Sequence, residues 1–117
     1  MATYHQGQIV WVRVSDQAGR NPKTRPAVIL TATDEISDDE PIVVVAVSTR
    51  FDRPLPDNKI ELPWHRDRHP VTGLRRRCVA VCDWLVEIRP SAIEDVAGTV
   101  PPAKMRQIIS RVKRAGQ

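Results

Sequence analysis

Three side chains at the ends of predicted strands could together act on a phosphate ester. Arg25 lies at the start of one strand, Ser48 at the end of a second, and Asp83 where another ends. A guanidinium pairs with phosphate through two hydrogen bonds, a hydroxyl can donate to a phosphate oxygen, and a carboxylate can accept a proton. If the first two strands are neighbours, the three groups converge on one rim of the sheet. By spacing alone, the simpler interpretation is that they only form turns.

Metal and cofactor chemistry finds little support in the sequence. His65 and His69 have the i, i+4 spacing of two metal ligands on a helix, but Pro63 and Pro70 bracket them. The glutamate of a metalloprotease motif and a third ligand are missing. We therefore predict loop histidines and no bound metal. The sequence also has no Walker A motif, no glycine-rich dinucleotide turn and no nucleophile elbow, so no cofactor is expected.

The two cysteines are predicted to be buried thiols. Cys78 and Cys82 are four residues apart in a predicted strand, which separates their Cα atoms by about 13 Å at about 3.3 Å per residue. A disulfide needs Cα atoms within about 7 Å. The two side chains should share one face of the strand and pack as small apolar groups. Unpaired cysteines fit a reducing compartment.

The composition favours one small β-rich domain. The chain has 117 residues, 41% of them hydrophobic and 27% charged, and this length is typical of a single domain, here expected over residues 1–117. Valine occurs 15 times and isoleucine 9 times, against 5 leucines. Side chains branched at Cβ fit a pleated sheet better than a helix. We expect a mainly β fold.

Membrane and secretory classes are not indicated. The longest apolar run is Ile42–Val47, far shorter than the roughly 20 residues of a membrane-spanning helix. The first residues are polar and do not form a signal peptide. The expectation is therefore a cytoplasmic protein that makes no membrane contact.

Hydrophobic periodicity predicts six strands and one helix. The predicted strands are Gln8–Val14, Arg25–Thr31, Pro41–Ser48, Lys59–Leu62, Leu74–Cys82 and Leu85–Ile88. After Pro101 and Pro102, four apolar residues recur at helical spacing and predict an amphipathic helix that ends by Gly116. They are Met105, Ile108, Ile109 and Val112. The segment Ser91–Gly98 fits either a helix start with a capping box or an edge strand.

Positive charge is concentrated in the second half of the chain. Residues 1–62 carry a net charge of −2 and residues 63–117 a net charge of +6. With a sequence pI of about 9.6, this distribution is typical of a nucleic-acid-binding surface. The alternative is a soluble surface on which charge is simply uneven.

In the order and spacing of its short motifs, the chain resembles the PemK/Kid/MazF family of toxin-antitoxin ribonucleases from about Gly7 to Val112. None of these motifs is specific alone. They are G-x-I-V-W-V at Gly7–Val12, Q-A-G at Gln17–Gly19, T-R-P-A-V-I-L at Thr24–Leu30, V-V-x-V-S-T ending at Thr49, T-G-L at Thr72–Leu74, Cys82-Asp83, and G-T-V-x-P before the last helix.

The resemblance implies a small SH3-like β-barrel of the CcdB/Kid/PemK type with a C-terminal amphipathic α-helix and a core over about residues 7–114. It also implies a homodimer that binds single-stranded RNA and is held inactive by an acidic cognate antitoxin. Members of the family cut RNA without metal or cofactor. The 2′-OH of the substrate is the nucleophile, and the products carry a 2′,3′-cyclic phosphate and a 5′-OH.

Carried over residue by residue, the resemblance makes Arg25 catalytic, places Ser48 where the family has a threonine, and puts Asp83 at the position of a catalytic acid. Kid-type members carry a histidine and an arginine where this chain has Ser15 and Val81. The loops around the groove would supply the RNA contacts. The expected contact residues are Gln17, Arg20, Lys23, Thr49, Arg50, Arg66 and Arg68.

Two other functions stay open on the sequence alone. The departures at Ser15, Ser48 and Val81 are compatible with a non-catalytic SH3-like binding module or with a toxin relative that has lost its activity. A gyrase poison of the CcdB type would need a C-terminal Trp-Gly-Ile, and this chain ends Arg114-Ala-Gly-Gln.

Overall fold

The computed structural model describes residues 4–115, which form a mainly β fold with one C-terminal helix. Six antiparallel strands make one sheet in the order β4-β5-β3-β2-β1-β6. The elements are β1 Gln8–Val14, β2 Lys23–Ile29, β3 Ile42–Ser48, β4 Lys59–Leu62, β5 Cys78–Ile88, β6 Ile93–Thr99 and α1 Pro102–Ala115. Within residues 4–115, no helix is both long and apolar enough to cross a bilayer.

The sheet buries side chains on both faces. In β1, Val10, Val12 and Val14 belong to one hydrophobic core, whereas Ile9 belongs to a second core on the opposite face. This alternation follows from the two-residue period of a strand and confirms the predicted β1. Buried β3 contributes to both cores, which accounts for its continuous apolar run.

β2 lies next to both β1 and β3, as the convergence of Arg25 and Ser48 on one rim requires. It begins at Lys23 and ends at Ile29, two residues earlier at each end than predicted. Pro26 faces Trp11 of β1, whereas the register with β3 begins only at Ala27. At Pro26, the edge of β2 that faces β3 is therefore not paired. A proline is tolerated at such a position because it has no N–H to donate.

The prediction of two separate strands over Leu74–Cys82 and Leu85–Ile88 is wrong. A single strand, β5, runs from Cys78 to Ile88. Its pairing with β3 shifts register between Val45 and Val47, and such a bulge bends a strand without ending it. Asp83 therefore lies inside β5 and not at the end of a strand, because the irregularity that suggested a turn is this bulge.

The structure decides between the helix start and the edge strand that the sequence left open for Ser91–Gly98. A short 3₁₀ turn over Pro90–Ala92 leads into β6, which pairs with β1 at the edge of the sheet, so the edge-strand alternative is correct. In α1, Met105 and Ile108 are buried in the core, and Ile109 and Val112 pack against it. The predicted apolar stripe is confirmed. Gly116, the predicted limit of the helix, lies outside the described residues.

The loop over residues 63–77, hereafter the arginine loop, packs directly on β6. Gly73 has φ +70°, and a Cβ there would collide with the backbone of Ala97. A Cβ on Gly98 would collide with the backbone of Val71 and Thr72. One hydrogen bond joins the loop to β6, and a second stabilises the conformation of the loop itself. The Thr99 N–H donates to the Val71 carbonyl at 2.9 Å, and the buried Thr72 hydroxyl donates to the Pro63 carbonyl at 2.7 Å.

We predict that Gly73→Ala lowers the free energy of unfolding by at least about 3 kcal/mol, because a left-handed backbone strain is added to a backbone collision. Gly19→Ala is the matched control. Gly19 has φ +81°, but no atom lies within 4 Å of the place that a Cβ would take, so only the strain of about 1 kcal/mol applies. Urea unfolding of both variants measures the difference. Equal losses would mean that the close approach does not stabilise the fold.

Candidate functional site

A cleft of about 490 Å³ lies between the middle of β1, the start of β2, the end of β3, the edge strand β6 and the arginine loop. Five basic residues and a single carboxylate, that of Asp95, line it. Trp11, Val47, Leu74 and Ala97 give the cleft an apolar component. The basic residues are Lys23, Arg25, Arg68, Arg75 and Arg76. A concave, apolar surface with several converging cations is suited to a ligand that carries both phosphates and bases.

Arg25 is held in place by two contacts at the rim of this cleft. Its guanidinium carbon lies 5.3 Å from the centroid of the Trp84 ring of β5, within the range of a cation–π interaction. Its Nε–H donates to the Val14 carbonyl at 3.4 Å. Both contacts restrict a long side chain that would otherwise be free to move. Sequence reasoning missed Trp84, because Arg25 and Trp84 lie on strands β2 and β5, which meet only through β3 between them.

Ser48 is the last residue of β3, and its hydroxyl closes the turn that follows. The hydroxyl accepts the Arg50 N–H at 3.0 Å and donates to the Arg50 carbonyl at 3.2 Å. Ala27 faces Ala46 in the register of β2 and β3. Arg25 is two residues before Ala27 and Ser48 two residues after Ala46, so the pleat places both on the same face at adjoining strand ends.

The Asp83 carboxylate has its hydrogen-bond partner away from Arg25 and Ser48. It accepts a hydrogen bond from the Asn58 side chain at 2.9 Å. Besides burial, its negative charge also raises the pKa of the Cys82 thiol, which the positive charge of Arg111 of α1 lowers. Among the described residues, no contact joins Asp83 to Arg25 or Ser48. The register thus places Arg25 and Ser48 at adjoining strand ends, although of these two only Arg25 lines the cleft. Asp83 has its partner near the start of β4.

The loop between β1 and β2 is organised by Asp16, a residue that sequence reasoning did not single out. Its carboxylate accepts the backbone N–H groups of Arg20 and Ala18 at 2.8 and 3.0 Å and the Asn21 side chain at 3.1 Å. The Arg20 bond is the main reason that the pKa of Asp16 is lowered. An Asp followed by Gly19 three residues later was the available signal for this turn. Gln17 and Arg20 are exposed on the loop.

Only some of the basic side chains of the arginine loop line the cleft. Arg68 has φ +79° and donates to the Ala97 carbonyl at 3.4 Å, which fixes it in the cleft. Arg66 is exposed but does not line the cleft. The predicted contact residues thus divide. Lys23, Thr49 and Arg68 line the cleft, whereas Gln17, Arg20, Arg50 and Arg66 lie outside its lining.

The two loop histidines act as hydrogen-bond acceptors for the backbone. Nδ1 of His65 accepts the Asp67 N–H at 3.0 Å, and Nδ1 of His69 accepts the N–H groups of Val71 and Thr72 at 3.1 and 3.2 Å. Across residues 4–115, no cluster of three or more His, Cys, Asp or Glu side chains has an arrangement that could hold a metal ion.

Comparison with known proteins identifies the family. The family profile described as "PemK-like, MazF-like toxin of type II toxin-antitoxin system" matches residues 5–115. The chain belongs to this family. The resemblance seen in the sequence is therefore confirmed for almost the whole chain. No curated protein sequence matches this PemK/MazF-family chain significantly.

Solved structures share the fold of this PemK/MazF-family chain at low sequence identity. MazF (Form-I) from Deinococcus radiodurans superposes with a TM-score of 0.74 at 18% identity, with 100% of both chains covered. An endoribonuclease in complex with its cognate antitoxin, from a mycobacterial species, gives 0.72 at 17% identity and covers 97% of this chain and 94% of that one. A MazE-MazF complex (Form-II) from Deinococcus radiodurans gives 0.71 at 18%, covering 97% and 96%.

The thiols of this PemK/MazF-family chain are not suited to nucleophilic chemistry. Cys78 and Cys82 are free and buried in the same core, as predicted. Burial raises the pKa of Cys78 to about 12 and that of Cys82 to about 11. Both side chains are thus neutral thiols at physiological pH, and only a thiolate is a good nucleophile.

We predict that iodoacetamide at about pH 8, close to the ordinary thiol pKa of about 8.5, modifies neither cysteine of the folded protein and both cysteines of the urea-unfolded chain. Unfolded thiols ionise in this range and the buried ones do not. The free energy of unfolding should therefore fall as the pH rises above about 9. Mass spectrometry counts the modified thiols. Rapid modification of the folded protein would contradict the neutral, buried state.

Proposed function

We propose that this toxin is a metal-independent endoribonuclease that cuts single-stranded RNA. The observation that carries the proposal is the position of Arg25, restrained by Trp84 and the Val14 carbonyl at the rim of a cationic cleft. Membership of the toxin family supports it, and one structural relative is itself described as an endoribonuclease. That relative shares 17% identity with this chain, at a TM-score of 0.71.

In the proposed reaction, the 2′-oxygen of a ribose attacks the adjacent phosphorus and the bond from phosphorus to the 5′-oxygen breaks. The 2′-hydroxyl loses its proton and the leaving 5′-oxygen gains one, so no water is consumed. The products are a 2′,3′-cyclic phosphate and a 5′-OH. The reaction needs the 2′-OH, and DNA is therefore not a substrate.

Arg25 acts in this scheme by stabilising charge. The transition state places negative charge on the non-bridging phosphate oxygens, and a guanidinium can donate two hydrogen bonds to them. A donor that is already oriented needs no reorganisation when the charge develops. Arg25 cannot serve as the base, because its pKa stays above about 12 in proteins.

The Ser48 hydroxyl is the second donor to the phosphate. Its bonds to Arg50 hold it at the strand end beside Arg25, and rotation of the hydroxyl hydrogen is enough to redirect the donation from the Arg50 carbonyl to a phosphate oxygen. We assign no proton transfer to Asp83, because its carboxylate is bonded to Asn58 and not to either donor.

We predict that Arg25→Ala lowers the rate of RNA cleavage by at least about a hundredfold, the scale on which one transition-state donor acts. Arg89→Ala is the control, since Arg89 is exposed beyond the far end of β5 and bonds to the Asp39 carbonyl. EDTA should leave the wild-type rate unchanged. Cleavage that EDTA abolishes, or that Arg25→Ala retains, would refute the proposal. RNA binding without cleavage by the wild type would support a binding module instead.

The cationic cleft also suggests how the toxin is restrained. We propose that it acts as a homodimer and that an acidic antitoxin covers the surface that RNA phosphates use. Two structural relatives were solved with an antitoxin or with MazE. Arg75 and Arg76 are exposed in the cleft, and exposed charges speed association at low salt. Inhibition by the antitoxin should then be competitive with RNA.

Reversing both charges, Arg75→Glu with Arg76→Glu, should weaken RNA cleavage and capture of the protein encoded by the adjoining gene, each by at least about tenfold at physiological salt. Arg106→Glu with Arg114→Glu on exposed positions of α1 is the matched control for total charge. Association of the wild type should slow as salt rises. Loss of only one of the two interactions in the Arg75, Arg76 variant would show that RNA and antitoxin use different surfaces.

A further inference from the structure

One acidic side chain in the cationic cleft is unexpected for a surface that only holds phosphates. Asp95 of β6 lies directly across from Trp11 of β1 in the strand pairing, and paired residues project from the same face of a sheet. Both residues line the cleft. A carboxylate repels a phosphate group, so its presence among five cations points to a ligand that also offers hydrogen-bond donors.

The Asp95 carboxylate is free to accept such a donor. Its Oδ1 accepts the Val96 N–H at 2.8 Å. Within the described part of the chain, Oδ2 has no hydrogen-bond or ion-pair partner, although basic side chains share the cleft. Trp11 is half-buried and packs against the hydrophobic core, which fixes a flat aromatic surface beside the carboxylate.

We propose that Trp11 and Asp95 form a nucleobase subsite for the nucleotide next to the cleaved bond. The proposal rests on the proposed ribonuclease function. Trp11 also faces Pro26 in the β1–β2 register, and Arg25, the residue before Pro26, lines the same cleft. Single-stranded RNA is recognised by stacking of its bases on aromatic side chains and by hydrogen bonds to their Watson–Crick edges, and the cleft combines both with cations for the neighbouring phosphates.

The chemistry of the carboxylate sets the base preference. It can only accept hydrogen bonds at neutral pH. Guanine offers two adjacent donors, N1–H and the N2 amino group, and adenine and cytosine each offer one amino group. The single N3–H of uracil lies between two carbonyl oxygens, which a carboxylate repels. The subsite therefore favours guanine most and uracil least.

The experiment digests a pool of RNA with a randomised segment and sequences the fragments that begin with a 5′-OH. For the wild type, one position beside the cut should show guanine over uracil by at least about fivefold, the lower range for a two-bond base contact. In Asp95→Asn this ratio should fall to about one, because the amide presents a donor as well as an acceptor. Oδ1 of the asparagine can still accept the Val96 N–H.

Glu94→Gln is the matched control. It removes the same charge one residue away, and Glu94 bonds to the Thr24 hydroxyl and does not line the cleft. Its base ratio should equal that of the wild type.

RNA cleavage with the same base distribution in the wild type and in Asp95→Asn would overturn the subsite while leaving the ribonuclease proposal intact. Tighter binding of a polyglutamate peptide by Asp95→Asn, with no change in base ratio, would assign the cleft to an acidic protein segment instead. No cleavage by any variant would refute the ribonuclease proposal itself, and the subsite with it.

Discussion

The close approach of the arginine loop to β6 is the constraint on which the rest of the site depends. Gly73 and Gly98 remove the side chains that would keep the two backbones apart. The loop can then form one wall of the cleft, which Arg68 and Arg76 line together with Arg25 of β2. Like charges repel when they are brought together, so core packing and the bonds of Thr72 must hold this wall against that repulsion. The ligand should supply the compensating negative charge.

Local patterns predicted the parts of the fold that depend on local physics. Alternation was sufficient for β1, and helical spacing was sufficient for the apolar stripe of α1, because each element buries one defined face. β5 could not be predicted as one strand, since the bulge that bends it is set by the register with β3. The choice between a helix and a strand for the β6 segment likewise depended on whether β1 offered a free edge.

The functional site, like the fold, could be predicted only in part from the sequence. The placement of Arg25 and Ser48 at adjoining strand ends followed from two predicted strands being neighbours, and the sheet order confirms that β2 and β3 are neighbours. The contact of Arg25 with Trp84 and the pairing of Trp11 with Asp95 join residues that are far apart in sequence, and no spacing signals them. Charge stabilisation by oriented donors does not require the histidine and arginine of Kid-type relatives, so the proposed chemistry is compatible with Ser15 and Val81 in this chain.

The central claim is that the ribose 2′-OH of the substrate is the nucleophile. The most direct measurement uses two matched RNAs that differ by a single 2′-deoxynucleotide on the 5′ side of the preferred cut, with purified protein in EDTA and mass analysis of the fragments. The account predicts a 2′,3′-cyclic phosphate and a 5′-OH from the all-ribose RNA and no cut at the deoxynucleotide. Cutting at the deoxynucleotide, or fragments with 3′-OH and 5′-phosphate ends, would contradict it.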